Sequence, residues 1–453
     1  MVRARIVAVV CAATVLGIGA VPAGAVEPPR IVAGPAPADS PPGPETPTKQ
    51  NKGCLASGVL PGSDLARTPP AEIALDLPQA RSLSRGAGVT VAVLDTGVAP
   101  NSRLPNLRAG GDYVVAGGDG LSDCDAHGTL IAGIIGGSAD PADGFSGVAP
   151  DAQLISIRVQ SGAFTADQPI ADAAQQLSAD VRILARAITH AAELGAGIIT
   201  IALPICVPAE LGIDQAPLAA ALGYAVYGRG ALVVAGAGNS NGRGCAQNPG
   251  ADPTQPLDDR NWTNVKTISA PAWFAPAVLA VGSTTATGVP MPDSLAGPWV
   301  SIAAPGTGIE SLGPGGGGLI NGVGEPDKLV PVGGASFAAA YASGVAALLR
   351  SRFPNETPAE ITARLQAGAH APARGIDNTV GAGLIDPMNA LSYRTPPAPT
   401  AGTRADRPEV LRMPSPSRAR DSRPATAAIG VGLGAVLLGL GAMSMGRVFR
   451  ERR

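Results

Sequence analysis

Aromatic residues are scarce: Phe, Trp and Tyr together make up 3% of the 453-residue chain. A surface that stacks sugars on exposed rings has little to be built from, which counts against a lectin or adhesin. Positive charge is not in excess either. The net charge of −2 argues against a nucleic-acid partner. Histidine occurs only three times, at His127, His190 and His370. The cysteines match no zinc-ligand spacing. The glycine run at 313–318 is not followed by Gly-Lys-Ser/Thr, so a phosphate cradle is excluded. No acidic loop implies a structural calcium. Neither a metal nor a cofactor is expected.

Apolar residues are plentiful at 45%, enough for a large core. Residues 1–25 read as a signal peptide, with Arg3 and Arg5 ahead of the apolar run Ile6–Ala20 and a small-residue site at Ala23-Gly24-Ala25. Residues 427–446 carry no charge and have the length of a membrane span. Arg447, Arg450, Arg452 and Arg453 follow in the tail 447–453, which places that end in the cytoplasm and the bulk of the chain outside it. Between these ends, residues 26–85 form a proline-rich extension, with eight prolines in 26–50. Residues 26–50 cannot bury a core and should lie extended, whereas 51–85 are mixed. Leu75, Leu77 and Leu83 suggest a short amphipathic piece within it. Residues 393–426 read as a Pro/Arg-rich linker. Cys11 falls in the signal peptide. Cys54, Cys124, Cys206 and Cys245 remain in an oxidising compartment, where two disulfides with three possible pairings are the default.

Residues 86–392 alternate apolar runs and helical patterns. The runs at 89–95, 154–159, 198–203, 231–239, 278–282 and 300–304 read as buried strands, and 171–195 and 215–228 as helices. This predicts an α/β fold with a mostly parallel sheet and helices on both faces. Ligand-facing groups in such sheets gather at the carboxyl ends of strands. Asp95 ends the first run. His127 opens an apolar helical run. Asn239 follows a strand and Gly238. Ser336 follows Gly333-Gly334-Ala335 and starts a helix made almost entirely of small and apolar residues. Each has an ordinary reading as a cap or turn residue. Together they form a chemical set. A serine hydroxyl needs a base, His127, and the base needs an acid partner, Asp95. A tetrahedral oxyanion needs donors, the side chain of Asn239 and the N–H of Ser336. His190 and His370 read as surface or packing residues. Asp119, Asp123 and Asp125 lack a second histidine or cysteine at ligand spacing and are expected to form a solvated loop.

The blocks Val93-Leu94-Asp95-Thr96-Gly97, His127-Gly128-Thr129 and Gly334-Ala335-Ser336-Phe337-Ala338 resemble the three signatures of subtilisin-like proteases. Gly238-Asn239 resembles the block that carries the oxyanion asparagine. The signal peptide, the proline-rich extension, Cys124 and the C-terminal span are similar to those of mycosins, the membrane-anchored subtilases of type VII secretion systems. This resemblance implies a subtilisin-like fold and a serine endopeptidase that acts on a protein or peptide substrate beside a type VII secretion membrane complex. It implies equally a structural role in that complex, with proteolysis weak or dispensable. It also implies the pairings Cys54–Cys124 and Cys206–Cys245, and an extension that wraps the domain. The sequence departs from the family pattern at Ala335, Ala340 and Thr200-Ile201-Ala202, where threonine, proline and Asn-Ile-Ser are usual.

Overall fold

The structure, a computed structural model, describes residues 26–398, except 38–40, 169, 243–244, 256, 317, 374 and 394–396, and residues 432–443. Seven strands make the main sheet: β1 (Thr90–Asp95), β2 (Leu107–Asp112), β3 (Gln153–Arg158), β4 (Ile198–Ile201), β5 (Leu232–Gly236), β6 (Val278–Thr284) and β7 (Ile302–Pro305). Their order is β7-β6-β5-β4-β1-β3-β2, and every pairing is parallel. The sheet grows in both directions from β1, so the strand order reverses there. That reversal opens a crevice at the carboxyl end of β1.

Both faces of the strands are apolar, and alternate residues supply two separate cores. Val91 and Val93 face one core with α1 (His127–Gly136), α4 (Ala335–Arg352) and α5 (Pro358–Gly368). Ala92 and Leu94 face the other with α2 (Ala173–Glu193) and α3 (Ala216–Gly223). Asp172 caps α2, its carboxylate accepting from Gln175 N at 2.8 Å. Val181, Leu184, Ala185 and Ile188 of α2 are buried as the helical spacing predicts. Leu177 departs from this pattern and lines a cleft described below.

Helix α4 is buried on all sides from Ala335 to Leu349. Small residues make this possible: a side chain on Gly344 would collide with Val148. Within the helix, Ser343 meets Thr200, whose hydroxyl donates at 2.8 Å. Thr200 thus fills its unusual place in β4 with a satisfied hydrogen bond.

The extension is folded onto the domain. Strand Thr48–Gln50 pairs antiparallel with Phe164–Ala166, and Ala56–Gly58 pairs with Gly322–Glu325. Glu45 meets Arg182 at 2.7 Å. The amphipathic piece is two short helices, Pro70–Ala74 and Leu77–Leu83, with Leu75 and Leu77 buried and Leu83 exposed. Glu72 is buried and paired with Arg81 at 2.8 Å. Arg81→Met strands that carboxylate and is expected to cost about 3–5 kcal/mol of stability. The urea midpoint of the folded protein measures it. The cysteines pair as Cys54–Cys124 and Cys206–Cys245.

Toward the C-terminus, residues 432–443 are described as a helix. Among the described residues no helix is long and apolar enough to cross a membrane. The rest of the expected span 427–446, the expected signal peptide, most of the linker and the tail lie outside the described residues.

Candidate active site

Four elements bring the expected residues to one end of the sheet. Asp95 is the last residue of β1, His127 the first of α1, and Ser336 the second of α4. Asn239 follows β5, past Gly238. Asp95 Oδ1 accepts from His127 Nδ1 at 2.7 Å, and His127 Nε2 lies 3.0 Å from Ser336 Oγ. The three side chains therefore form one hydrogen-bonded chain. Asp95 is fully buried, and Ser336 is 5% exposed.

The turn into α4 fixes the rest. Gly334 has φ 130°, and a Cβ there would lie 2.9 Å from Asn239 Oδ1. Glycine is required for both reasons. Asn239 Oδ1 accepts from Ala335 N at 3.0 Å, which leaves the amide NH2 as the free end of that side chain. Ser336 N belongs to the first turn of α4, where backbone donors have no partner within the helix. Ala335 contributes its backbone to this arrangement, so the loss of the family's usual threonine leaves the hydrogen bond in place.

Asp123 is a correction to the expected solvated loop. Its Oδ1 accepts from Thr96 Oγ1 at 2.9 Å and from Asp125 N at 3.0 Å. Its Oδ2 accepts from Thr129 N at 2.9 Å and Thr129 Oγ1 at 2.7 Å. Thr96 in turn donates its N–H to Asp95 Oδ1 at 2.8 Å. Asp123 therefore ties the turn after β1 to the first turn of α1, the two segments that carry Asp95 and His127. Burial pushes its carboxyl up to about 6, against the lowering effect of the hydrogen bonds from Thr129 and Thr96. Asp125 reaches the other way, accepting from Ser161 Oγ at 2.5 Å and Gly162 N at 2.8 Å. The sequence signal for both was their place four and two residues before the histidine.

Burial alone would lower the His127 pKa. The charge and hydrogen bond of Asp95, with Asp123 and Asp125 adding, leave it raised above the ordinary 6.5. His127 must be neutral to accept a proton. The acid limb of kcat/KM is therefore expected to have its midpoint above 6.5, read from a pH–rate profile.

His190 and His370 stand apart from this site. His190 Nε2 bonds Gly110 O at 3.0 Å, and His370 pairs with Asp386 at 3.1 Å. Among the described residues no group of acidic, histidine or cysteine side chains is arranged to hold a metal. A cleft of about 950 Å³ runs from Ser336 and His127 past Gln160–Gly162, Ala202–Pro204 and the Cys206–Cys245 bridge to Asn51 and Lys52 of the extension.

Residues 86–383 match the subtilase family, peptidase S8. Mycosin-1 of Mycobacterium tuberculosis is 46% identical over 430 residues, covering 93% of this chain and 95% of that protein. The crystal structure of MycP1 from the ESX-1 type VII secretion system is 47% identical with a TM-score of 0.79, covering 83% of this chain and 98% of that one. A chain in the structure of an intact ESX-5 inner membrane complex is 44% identical, also with a TM-score of 0.79, covering 93% of this chain and all 100% of that one. The protein belongs to the subtilase family and is a subtilisin-like serine protease. Within that family it is one of the mycosins.

Proposed function

We propose that the chain is an extracytoplasmic serine endopeptidase in which Ser336 is the nucleophile, His127 the base, Asp95 its orienting partner and Asn239 an oxyanion donor. The hydrogen-bonded chain from Asp95 through His127 to Ser336, at 2.7 and 3.0 Å, carries this reading. Ser336 Oγ attacks the carbonyl carbon of a peptide bond and passes its proton to His127 Nε2. Asp95 stabilises the imidazolium and holds its tautomer. The oxyanion is held by the Asn239 NH2 and the Ser336 N–H. His127 then gives its proton to the leaving amine, whose C–N bond breaks to leave an acyl-enzyme. Water, deprotonated by the same histidine, releases the acid and restores Ser336.

The chain acts at a membrane, anchored through 427–446 with its protease domain outside the cytoplasm, together with a type VII secretion complex. Support comes from the uncharged C-terminal segment and from the matched chain of the ESX-5 inner membrane complex. The same match favours a second reading, a structural subunit of such a complex in which proteolysis is dispensable. One experiment separates them. Secretion by the source bacterium is measured after deletion of the chain and after Ser336→Ala. Secretion lost in both supports proteolysis as the main role. Secretion lost only on deletion supports the structural role.

A further inference from the structure

The proposed chemistry divides the cleft, and the inference below rests on that reading. The acyl half of a substrate places its carbonyl oxygen at Asn239 and the Ser336 N–H. The amine half departs past the group that protonates it, His127 Nε2. A hollow of about 190 Å³ lies on this flank, lined by His127 but not by Asn239. Its apolar lining is Leu130, Val323, Pro331, Val332 and Phe337, Asp125 and His127 supply polar groups, and the Phe337 ring lies 5.2 Å from the imidazole.

Val323 leads outward from this hollow. It belongs to a three-stranded antiparallel sheet made of Ala56–Gly58, Gly322–Glu325 and Lys328–Pro331. Val323 stands opposite Val330 on one side and Ser57 on the other, so all three share a face. Val330 is 50% exposed. Leu55, next to the start of the Ala56–Gly58 strand, is 41% exposed. One strand of this sheet comes from the extension, held beside His127 by the Cys54–Cys124 bridge and by Leu55 N donating to Cys124 O at 2.8 Å.

On the opposite flank some main-chain groups are already occupied: Gly162 N is taken by Asp125, Ala163 O accepts from Asn51 N at 2.9 Å, and Pro204 has no N–H.

We propose that the hollow and the apolar face beyond it bind the leaving half of a polypeptide substrate, selecting apolar side chains in the first three residues after the cut. The extension is then part of the specificity surface. The hollow borders His127, and the Val323–Val330 pair beyond it offers apolar contact to a peptide segment, with Asp125 and Ser57 the polar residues beside it.

The test uses the full chain and a library of internally quenched peptides varied at the three positions after the cut, with products located by mass spectrometry. A fluorophosphonate, which has no peptide on its leaving side, reports separately on Ser336. The wild type is expected to favour apolar residues at those positions. Val330→Asp, at an exposed position, is expected to lower cleavage of apolar-leaving peptides about tenfold relative to Gly/Ser-leaving ones. Val323→Ser is a second variant with the same expected direction. Ile376→Ser, 55% exposed and outside this surface, is expected to change nothing. A wild type that labels yet shows no apolar preference, or cuts no library peptide, overturns the inference. So does a Val330→Asp variant with the wild-type preference. Failure of the fluorophosphonate to label folded protein overturns the catalytic reading first and the inference with it.

Discussion

Ser336→Ala is expected to lower kcat by about six orders of magnitude, with KM little changed. In the proposed mechanism the hydroxyl is the atom that forms the new bond. His127→Ala is expected to cost about as much, because in the proposed mechanism the serine proton leaves along the 3.0 Å contact between His127 Nε2 and Ser336 Oγ. The double variant should be scarcely worse than either single one, since the two groups act in one step. Asp95→Asn should cost about four orders of magnitude by holding the wrong tautomer of His127. The measurement is single-turnover hydrolysis of an activated peptide ester by the folded, disulfide-intact protein. Three losses that simply multiplied would mean that the groups do not work as a unit.

Asn239→Ala is expected to lower kcat about 10²–10³-fold and to leave KM nearly unchanged. Asn239 Oδ1 is fixed by Ala335 N at 3.0 Å, so under the proposed mechanism its NH2 is held in place before any charge develops. Such a donor gains most when the carbonyl becomes an oxyanion, so its loss appears in the chemical step. Gly334→Ala should move in the same direction, since its methyl would meet the Asn239 amide. Equal losses in Asn239→Ala and Gly334→Ala, with no further loss on combining them, would place both effects on the same donor. A rise in KM without a fall in kcat would assign Asn239 to ground-state binding instead.

Most of the frame is legible in the residues because a doubly buried parallel strand has a simple signature. The continuous apolar runs ending at Asp95 and leading to Asn239 are strands β1 and β5, and their ends carry two of the four site residues. Strand β2 is the exception. Leu-Arg-Ala-Gly-Gly-Asp has no continuous apolar run and is not among the expected strands, yet Gly110 is demanded by the close approach of Ile155 on β3. The feature that hides the strand from a propensity reading is the one that lets it pack. Asp123 misled for a related reason. A run of aspartates between glycines looks solvated, and only the fold shows that Thr96 and Thr129 satisfy this one. Leu177 fits the apolar stripe of α2 but faces the cleft instead. The small sheet beside His127 could not be read at all. It joins Ala56–Gly58 to Gly322–Glu325, segments more than 250 positions apart in sequence, through main-chain bonds that leave no pattern in side chains.

The most direct measurement is the site of covalent attack. Folded full-length protein is treated with a fluorophosphonate, digested and mapped by mass spectrometry across a pH series. One adduct on Ser336 is expected, absent in His127→Ala, with a labelling rate that rises through a midpoint above 6.5 as His127 loses its proton. No adduct on Ser336, or labelling that ignores both pH and His127, contradicts a nucleophile activated by the Asp95–His127 pair.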